Sequence, residues 1–377
     1  MTIVKAPPRV SAIECTPKEL LLTETFGTAA GKQESARNAF VQVKLTDGTV
    51  GWGEAAPFQA INGESQEAVL AAFNKIVPLV LGANVAQFRA ISKKVEAEQA
   101  WPIAARCALE QALLDAYTTY LGIPLWALFG GEGCELDTDM TITTGNVVHA
   151  KQSAEAIRDR GIKSFKIKVG AVSVDDDVER VRAAVEAAPQ AQILLDGNAA
   201  YEAEVALDLL AKLRSHGVHV TLFEQPCKAG DLDGMARLVR EADTIICADE
   251  SAQTPADVLE LVKRRAATAV NIKVMKSGVI RAWEMVTIAR AAGLDLMIGG
   301  MVESIVSMNF SANFAYGLGG FRFVDLDTPF FMKDTPFSGG FTVNEGRISL
   351  AKKVAGAGVT YIEPPASPAD PAAPAAN

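Results

Sequence analysis

The spacing of apolar and polar positions changes character twice along this 377-residue chain. Residues 9 to about 56 read as antiparallel strands with the two-residue period of half-buried sheet. Within them Ala39-Phe40-Val41-Gln42-Val43-Lys44-Leu45 runs into Thr46-Asp47-Gly48 and returns through Val50-Gly51-Trp52-Gly53-Glu54, which predicts a hairpin. The stretch at 24–32 carries two glycines and small residues and is expected as a mobile loop, and a second loop is expected at 56–63. From 65 to 120 the apolar period lengthens to that of helices, with breaks expected at Pro78, Gly82 and Pro102. Leu121-Gly122-Ile123-Pro124-Leu125-Trp126 closes the last of them.

From Leu136 short apolar runs alternate with helical stretches. Strands are predicted at 138–143, 164–168, 192–196, 220–224, 244–249, 268–273, 294–299 and 321–325, and the clearest helices at 150–160 and 175–188. An ionisable residue closes five successive runs: Lys168, Asp196, Glu224, Asp249 and Lys273 follow one another at 28, 28, 25 and 24 residues. A buried strand with its crossover helix takes roughly 30 residues, so this is a βα repeat. Eight such units predict an α/β fold of (β/α)8-barrel type, with reactive groups at the C-terminal strand ends. A doubly wound sheet accounts for the alternation but not for so many reactive side chains from successive strands. After Pro336 come Gly-rich turns and a strand-like Gly346-Arg347-Ile348-Ser349-Leu350. The expected organisation is an α+β capping domain over 1–130, the barrel over 131–335, a return to the cap over 336–362 and a disordered Pro/Ala tail over 363–377.

Composition narrows the function classes. A net charge of −9 argues against a nucleic-acid partner, whose surface would be basic. No apolar run approaches the roughly 20 residues that span a bilayer. The first residues lack the apolar core of a secretory signal. Five cysteines (Cys15, Cys107, Cys134, Cys227, Cys247), odd in number and without CxxC spacing, favour reduced thiols and a cytoplasmic setting. His149, His216 and His219 all miss the strand ends, which leaves acid–base chemistry to lysines and carboxylates. A homo-oligomer stays open.

Around an eight-stranded ring, Asp196, Glu224 and Asp249 end strands three, four and five on one arc. A single acid after a strand is commonly a helix N-cap. Three in succession would repel one another unless a cation sits between them. Hard oxygen ligands with room for water or substrate suit Mg2+, with Mn2+ as the alternative. Lys168 and Lys273 end strands two and six and face each other across the mouth. Lys166 alternates onto the same side as Lys168, and Lys276, past its strand end, is the weaker candidate for the role of Lys273. Two opposed amines permit proton removal on one face of a carbon and return on the other, which inverts a stereocentre.

Lys166-Ile167-Lys168, Asp196-Gly197-Asn198, Glu224-Gln225-Pro226, Asp249-Glu250-Ser251 and Asn271-Ile272-Lys273 resemble the muconate-lactonizing-enzyme subgroup of the enolase superfamily. Gly51-Trp52-Gly53-Glu54 and Leu121-Gly122-Ile123-Pro124-Leu125 fit the same subgroup, so the resemblance covers nearly everything but the tail. It implies a cap over a barrel, Mg2+ on Asp196, Glu224 and Asp249, and Lys168 and Lys273 as the acid/base pair. A lysine base working with a metal-stabilised enediolate is the known pattern of that superfamily.

The eighth run narrows the choice. Phe323-Val324-Asp325-Leu326-Asp327 sets two alternate acids at a strand end opposite strand four, and this Asp-x-Asp pair resembles the dipeptide epimerases. Met297-Ile298-Gly299-Gly300-Met301-Val302-Glu303-Ser304 is similar to their seventh-strand segment, with Met301 as a substrate contact. A dipeptide would put its carboxylate on the metal, its α-carbon between the lysines and its free ammonium on Asp325 and Asp327. The bland alternative is that these two acids cap a turn before Pro329. Relatives acting on Ala-Glu carry an arginine in the first loop, where Thr28-Ala29-Ala30-Gly31 has none and Lys32 and Arg37 are the nearby cations. Lysine does not reproduce arginine's bidentate geometry, so an apolar or small second residue is expected, with Thr28 near it. The expected function is Mg-dependent epimerisation of a dipeptide at the α-carbon of its C-terminal residue. The rivals within the fold are N-acylamino-acid racemase, o-succinylbenzoate synthase and muconate-type cycloisomerase, whose substrates bring no ammonium. A non-catalytic carboxylate-binding barrel would need neither lysine in a neutral state.

Overall fold

The computed structural model describes residues 6–28, 31–98, 102–131, 135–351 and 353–362; Ala29, Ala30, Cys134 and the tail expected at 363–377 lie outside them. The alternating N-terminal stretch folds as three antiparallel strands, Val10–Thr28, Gly31–Leu45 and Val50–Ala55. The predicted turn at Thr46-Asp47-Gly48 sets the register that pairs Lys44 with Val50. The loop expected at 24–32 is instead strand wherever it is described: Phe26 pairs with Gln33, Gly27 with Lys32 and Thr28 with Gly31. Its small residues serve close approach. A Cβ at Gly27 would stand 2.3 Å from Thr144 Oγ1, beside the end of the first barrel strand.

Three longer helices follow, Gln66–Val80, Phe88–Glu98 and Ile103–Leu121. Pro78 does not break the first of them. It sits in the final turn, where the lost N–H costs one bond, and the helix stops at Leu81, before Gly82. The helix Ile103–Leu121 is buried along most of its length because it packs directly on the strand Val50–Ala55. Gly51 and Gly53 allow that contact: a Cβ at either would stand 2.1 Å from the helix backbone.

Eight parallel strands then succeed one another in ring order: Met140–Ile142, Ser164–Lys168, Gln192–Asp196, Val220–Glu224, Ile245–Ala248, Ala269–Ile272, Asp295–Ile298 and Phe321–Val324. The Asp139 N–H donates to Val324 O (2.8 Å) and joins the two ends into a barrel. Leu194, Leu222, Cys247, Ala269, Met297 and Phe323 fill its interior. The eighth strand leads to a 3₁₀ turn, Thr328–Phe331, instead of an outer helix, which sends the chain back to the cap. There Phe337–Gly339 pairs with Val359–Tyr361, and Trp52 packs edge-on to Phe337 (5.0 Å) and stacks on Tyr361 (5.2 Å). No helix among the described residues is long and apolar enough to cross a membrane.

Several polar contacts staple the cap to the barrel, and one carboxylate gathers a group of them. Glu54, fully buried at the end of Val50–Ala55, accepts from Asn38 Nδ2 (2.8 Å), Ser304 N (2.9 Å), Ser304 Oγ (2.7 Å) and Ser307 N (3.1 Å). Ser304 is the N-cap of the barrel helix Ile305–Leu318, so the Glu54 charge also lies at the positive end of a helix dipole. Glu54→Ala would orphan several buried donors at about 1–3 kcal/mol each. Urea denaturation of that variant should therefore show a loss of about 3 kcal/mol or more, with Glu54→Gln losing less because it keeps one acceptor oxygen.

Candidate active site

Alternation along a parallel strand turns every second side chain into the barrel, and the register brings the last of these to one rim. Lys168 pairs across to Asp196, and Asp196 to Glu224. A narrow cavity of about 40 Å³ at this rim is lined by Lys166, Lys168, Asp249, Lys273, Asp325 and Asp327. Thr28 and Met301 line it too, so eight of the ten residues singled out from the sequence share one cavity wall. The other two, Asp196 and Glu224, lie wholly buried beside it and meet it through the lysines. Neither Lys32 nor Arg37 lines it; Arg37 is exposed and pairs with Glu67 (2.6 Å).

The amines and acids interleave. Lys166 Nζ touches Asp196 Oδ2 (3.1 Å), Glu224 Oε2 (2.7 Å) and Asp325 Oδ2 (2.6 Å). Lys168 Nζ donates to Asp196 Oδ2 (2.5 Å) and Lys273 Nζ to Asp249 Oδ2 (2.7 Å), with Glu224 Oε1 at 3.7 Å from the latter amine. Burial pushes the Asp196 carboxyl upward, but Lys168, Lys166 and Lys273 outweigh it and hold the group below the usual carboxylate range. Asp249 behaves alike, with Lys273 and Lys276 outweighing burial. Glu224 goes the other way, raised by burial and by Asp196. On Lys273, burial opposes the charge, yet Asp249 and Glu224 hold the proton more firmly than in a free amine.

Lys276, the weaker candidate, has its three donors on Asp249 O (2.6 Å), Asp249 Oδ1 (2.6 Å) and Asn271 O (3.1 Å), and so holds Asp249 between two strand ends. Asn271 Nδ2 in turn holds Glu224 Oε1 (2.7 Å). The Gln225 side chain accepts from Asp249 N (2.9 Å) and Ser251 N (3.0 Å), joining the fourth strand end to the fifth. Asp196, Glu224 and Asp249 thus present buried hard oxygens from adjacent strands. Glu224 Oε2 has the Lys166 amine at 2.7 Å but no aligned hydrogen bond, which leaves a lone pair for a cation. The donor set fits a divalent ion of the Mg2+ class.

Spacing does not single out Asp139, Glu250 or Gln225. Gln225 and Glu250 sit one residue beyond a strand-end acid. Burial and the neighbouring Asp249 push the Glu250 carboxyl up to about 8. Asp139 lies two residues before Thr141, on the same inward face; an acid at such a position is itself a signal, because a buried charge demands a partner. Among the described residues the tightest acidic group is Asp139, Asp325 and Asp327, with carboxylate oxygens within 4.8 Å of one another. It lies on the wall of the first and eighth strands, and the Lys166 amine links its Asp325 to Asp196 and Glu224 of the arc.

Comparison with known proteins agrees with this geometry. Residues 149–370 match the enolase C-terminal domain-like family, and residues 15–130 match the N-terminal domain of the mandelate racemase / muconate lactonizing enzymes. A protein of Herpetosiphon aurantiacus named aromatic dipeptide epimerase is 47% identical over 94% of this chain and 99% of its own length. The L-Ala-D/L-Glu epimerase of Bacillus subtilis is 31% identical over 92% of this chain and 95% of its own. The crystal structure of an Enterococcus faecalis dipeptide epimerase, complexed with Mg and the dipeptide L-Leu-L-Tyr, superposes with a TM-score of 0.90 at 30% identity, covering 94% of this chain and all (100%) of that one. The chain belongs to the mandelate racemase / muconate lactonizing enzyme family of the enolase superfamily, among the isomerases of its dipeptide epimerase branch.

Proposed function

We propose that this protein epimerises dipeptides at the α-carbon of the C-terminal residue by two-base proton transfer between Lys168 and Lys273. The observation that carries the reading is that amines from the second and sixth strands share one cavity with the Asp325 and Asp327 carboxylates of the eighth. Lys168, entering neutral, accepts the α-proton at Nζ on one face. Lys273, entering protonated, delivers its proton to the opposite face, and the reverse assignment runs the reaction back. Lys166 sits between the acids and neutralises part of their mutual repulsion. Asp196, Glu224 and Asp249 are the residues that would hold Mg2+, with Mn2+ as the alternative. Once bound there, the ion stabilises the negative charge that develops on the substrate carboxylate as the α-proton leaves. Asp325 and Asp327 receive the dipeptide's ammonium at the other end.

The side-chain preference follows from the remaining wall. Phe26, Phe58, Met301 and Val302 line the cavity, and no arginine does among the described residues. A glutamate side chain would be buried there without a cation, so the second residue is apolar, aromatic or small. The relative named for aromatic dipeptides supports this choice. Residues 1–130 with 336–362 act as the cap and 131–335 as the catalytic barrel. The described cysteines Cys15, Cys107, Cys227 and Cys247 are free thiols, as a reducing cytoplasmic setting would leave them.

With Mg2+ in D2O, a panel of L,L-dipeptides should exchange deuterium at the α-carbon of the second residue, with apolar residues ahead of glutamate. Chelating the metal should stop exchange and added Mg2+ should restore it. Exchange into N-acylated amino acids but not into any dipeptide would overturn the substrate assignment. Lys168→Ala and Lys273→Ala should each abolish epimerisation while leaving exchange of one diastereomer, read by NMR. Asp325→Asn should lower kcat/KM for free-amine dipeptides by about 10- to 100-fold, the worth of one charged hydrogen bond, and change N-acetylated dipeptides far less.

A further inference from the structure

Asp139 leads into the first barrel strand and takes no part in the chemistry described so far. Its side chain is 1% exposed, and neither of its carboxylate oxygens has a hydrogen-bond partner. One of them lies within 4.8 Å of oxygens of both Asp325 and Asp327. Asp325 Oδ2 is taken by Lys166 (2.6 Å) and Asp327 Oδ2 by the Thr141 N–H (2.7 Å), while Asp327 Oδ1 is buried without a partner. The charged groups facing Asp139 are Asp325 and Asp327 from the eighth strand, Lys166 from the second and Glu224 from the fourth. Lys166, the one cation of the four, is committed to other acids. A second cavity of about 560 Å³ opens below, lined by Asp139 with Lys163, Arg322, Arg347, Asp137 and Glu345. Its guanidiniums are turned to Asp295 and Asp137, and Lys163 makes no ion pair with Asp139.

Three ionised carboxylates at this spacing, away from water, repel strongly and leave several acceptors unpaired. One proton eases both problems. An O–H on Asp139 removes one of the three charges and turns a donor toward the neighbouring carboxylates of Asp325 and Asp327, as in other carboxyl groups that share a proton. Asp139 is absent from the lining of the upper cavity, so substrate meets Asp325 and Asp327 and not the acid behind them. We propose that Asp139 is a neutral carboxylic acid at neutral pH, a positioning residue whose O–H braces the Asp325/Asp327 pair. Burial and the nearby Asp325 push the Asp139 carboxyl well above the usual carboxylate range, against the pull of Lys166. The use of the pair for a substrate ammonium rests on the function proposed above; the proton on Asp139 does not.

Infrared difference spectroscopy of the full-length protein at pH 7 tests the proton directly. The wild-type-minus-Asp139→Asn difference spectrum should show one protonated-carboxyl carbonyl band lost on substitution, over the bands that other buried acids such as Glu250 give in both proteins. A difference spectrum without that band overturns the proposal, whatever the substrate proves to be. Asparagine keeps the shape, the neutrality and a donor, so Asp139→Asn should hold KM for a free-amine dipeptide within about threefold and leave thermal stability unchanged. Asp139→Ala, with the donor gone, should raise KM about tenfold or more with a smaller change in kcat. A KM for Asp139→Asn as high as that of Asp325→Asn overturns the proposal. So does a wild-type KM that depends on sodium or potassium concentration and loses that dependence in Asp139→Asn, because a metal cation would then stand where the proton is assigned.

Discussion

One buried amine holds three strands to a common purpose. Lys166 Nζ lies within 3.1 Å of carboxylates from the third, fourth and eighth strands, and Lys166 is 2% exposed. Any of those acids alone in the interior would cost several kcal/mol of lost hydration. Packed together without positive charge they would force the rim apart. Lysines at 166, 168, 273 and 276 interleave with the acids, and the strand register sets the order of interleaving. The barrel is therefore a device for keeping opposite charges dry and adjacent. A β slip of one residue would turn each acid outward among the helices and leave its lysine unpaired.

The cap depends on the same logic in weaker form. Glu54 is another wholly buried acid, satisfied by backbone and side-chain donors in place of an amine. It works because Gly51 and Gly53 let its strand lie flat against the helix Ile103–Leu121, aiming the strand's C-terminal end at the barrel. Asp115 of that helix accepts from Trp52 N (2.8 Å) and Ala357 N (2.6 Å) and so joins the hairpin to the returning C-terminal segment. On the first strand, Phe26 meets Phe331, in the turn after the eighth barrel strand, edge-on (5.5 Å) and faces the cavity.

The barrel was legible in the sequence because a buried strand needs an apolar run and a rim charge ends it. Those two signals recur at one beat from Lys168 to Lys273. The stretch at 24–32 was misread since glycine and alanine mark loops and close contacts alike, and only the partner, here Thr144, tells them apart. Pro78 was misread for a related reason: a proline breaks a helix only where enough helix remains beyond it. At the site, residues that end a strand were found, whereas those that orient them were not. Gln225 and Asn271 act through hydrogen bonds to neighbours distant in sequence, which no local pattern encodes. Asp139 stands at a strand beginning, where no recurring rim charge marks it.

The arrangement also explains what the cavity can refuse. Its two anionic regions, the arc of strands three to five and the pair on strand eight, lie on opposite sides of the ring. With the cation proposed for the arc in place, a free amino acid, which carries both charges on one carbon, would satisfy only one side at a time. An N-acylated amino acid would reach the far wall with an uncharged group and leave Lys166 as the one cation beside Asp325 and Asp327, the costlier error because both acids are buried. On the function proposed above, a dipeptide, with carboxylate and ammonium one peptide unit apart, would present the α-hydrogen of its second residue between the two amines. Selection by the distance between opposite charges would then need no tight fit to either side chain. It leaves Phe26, Phe58, Met301 and Val302 to grade substrates by apolar area alone, a term that discriminates by only about 1–3 kcal/mol.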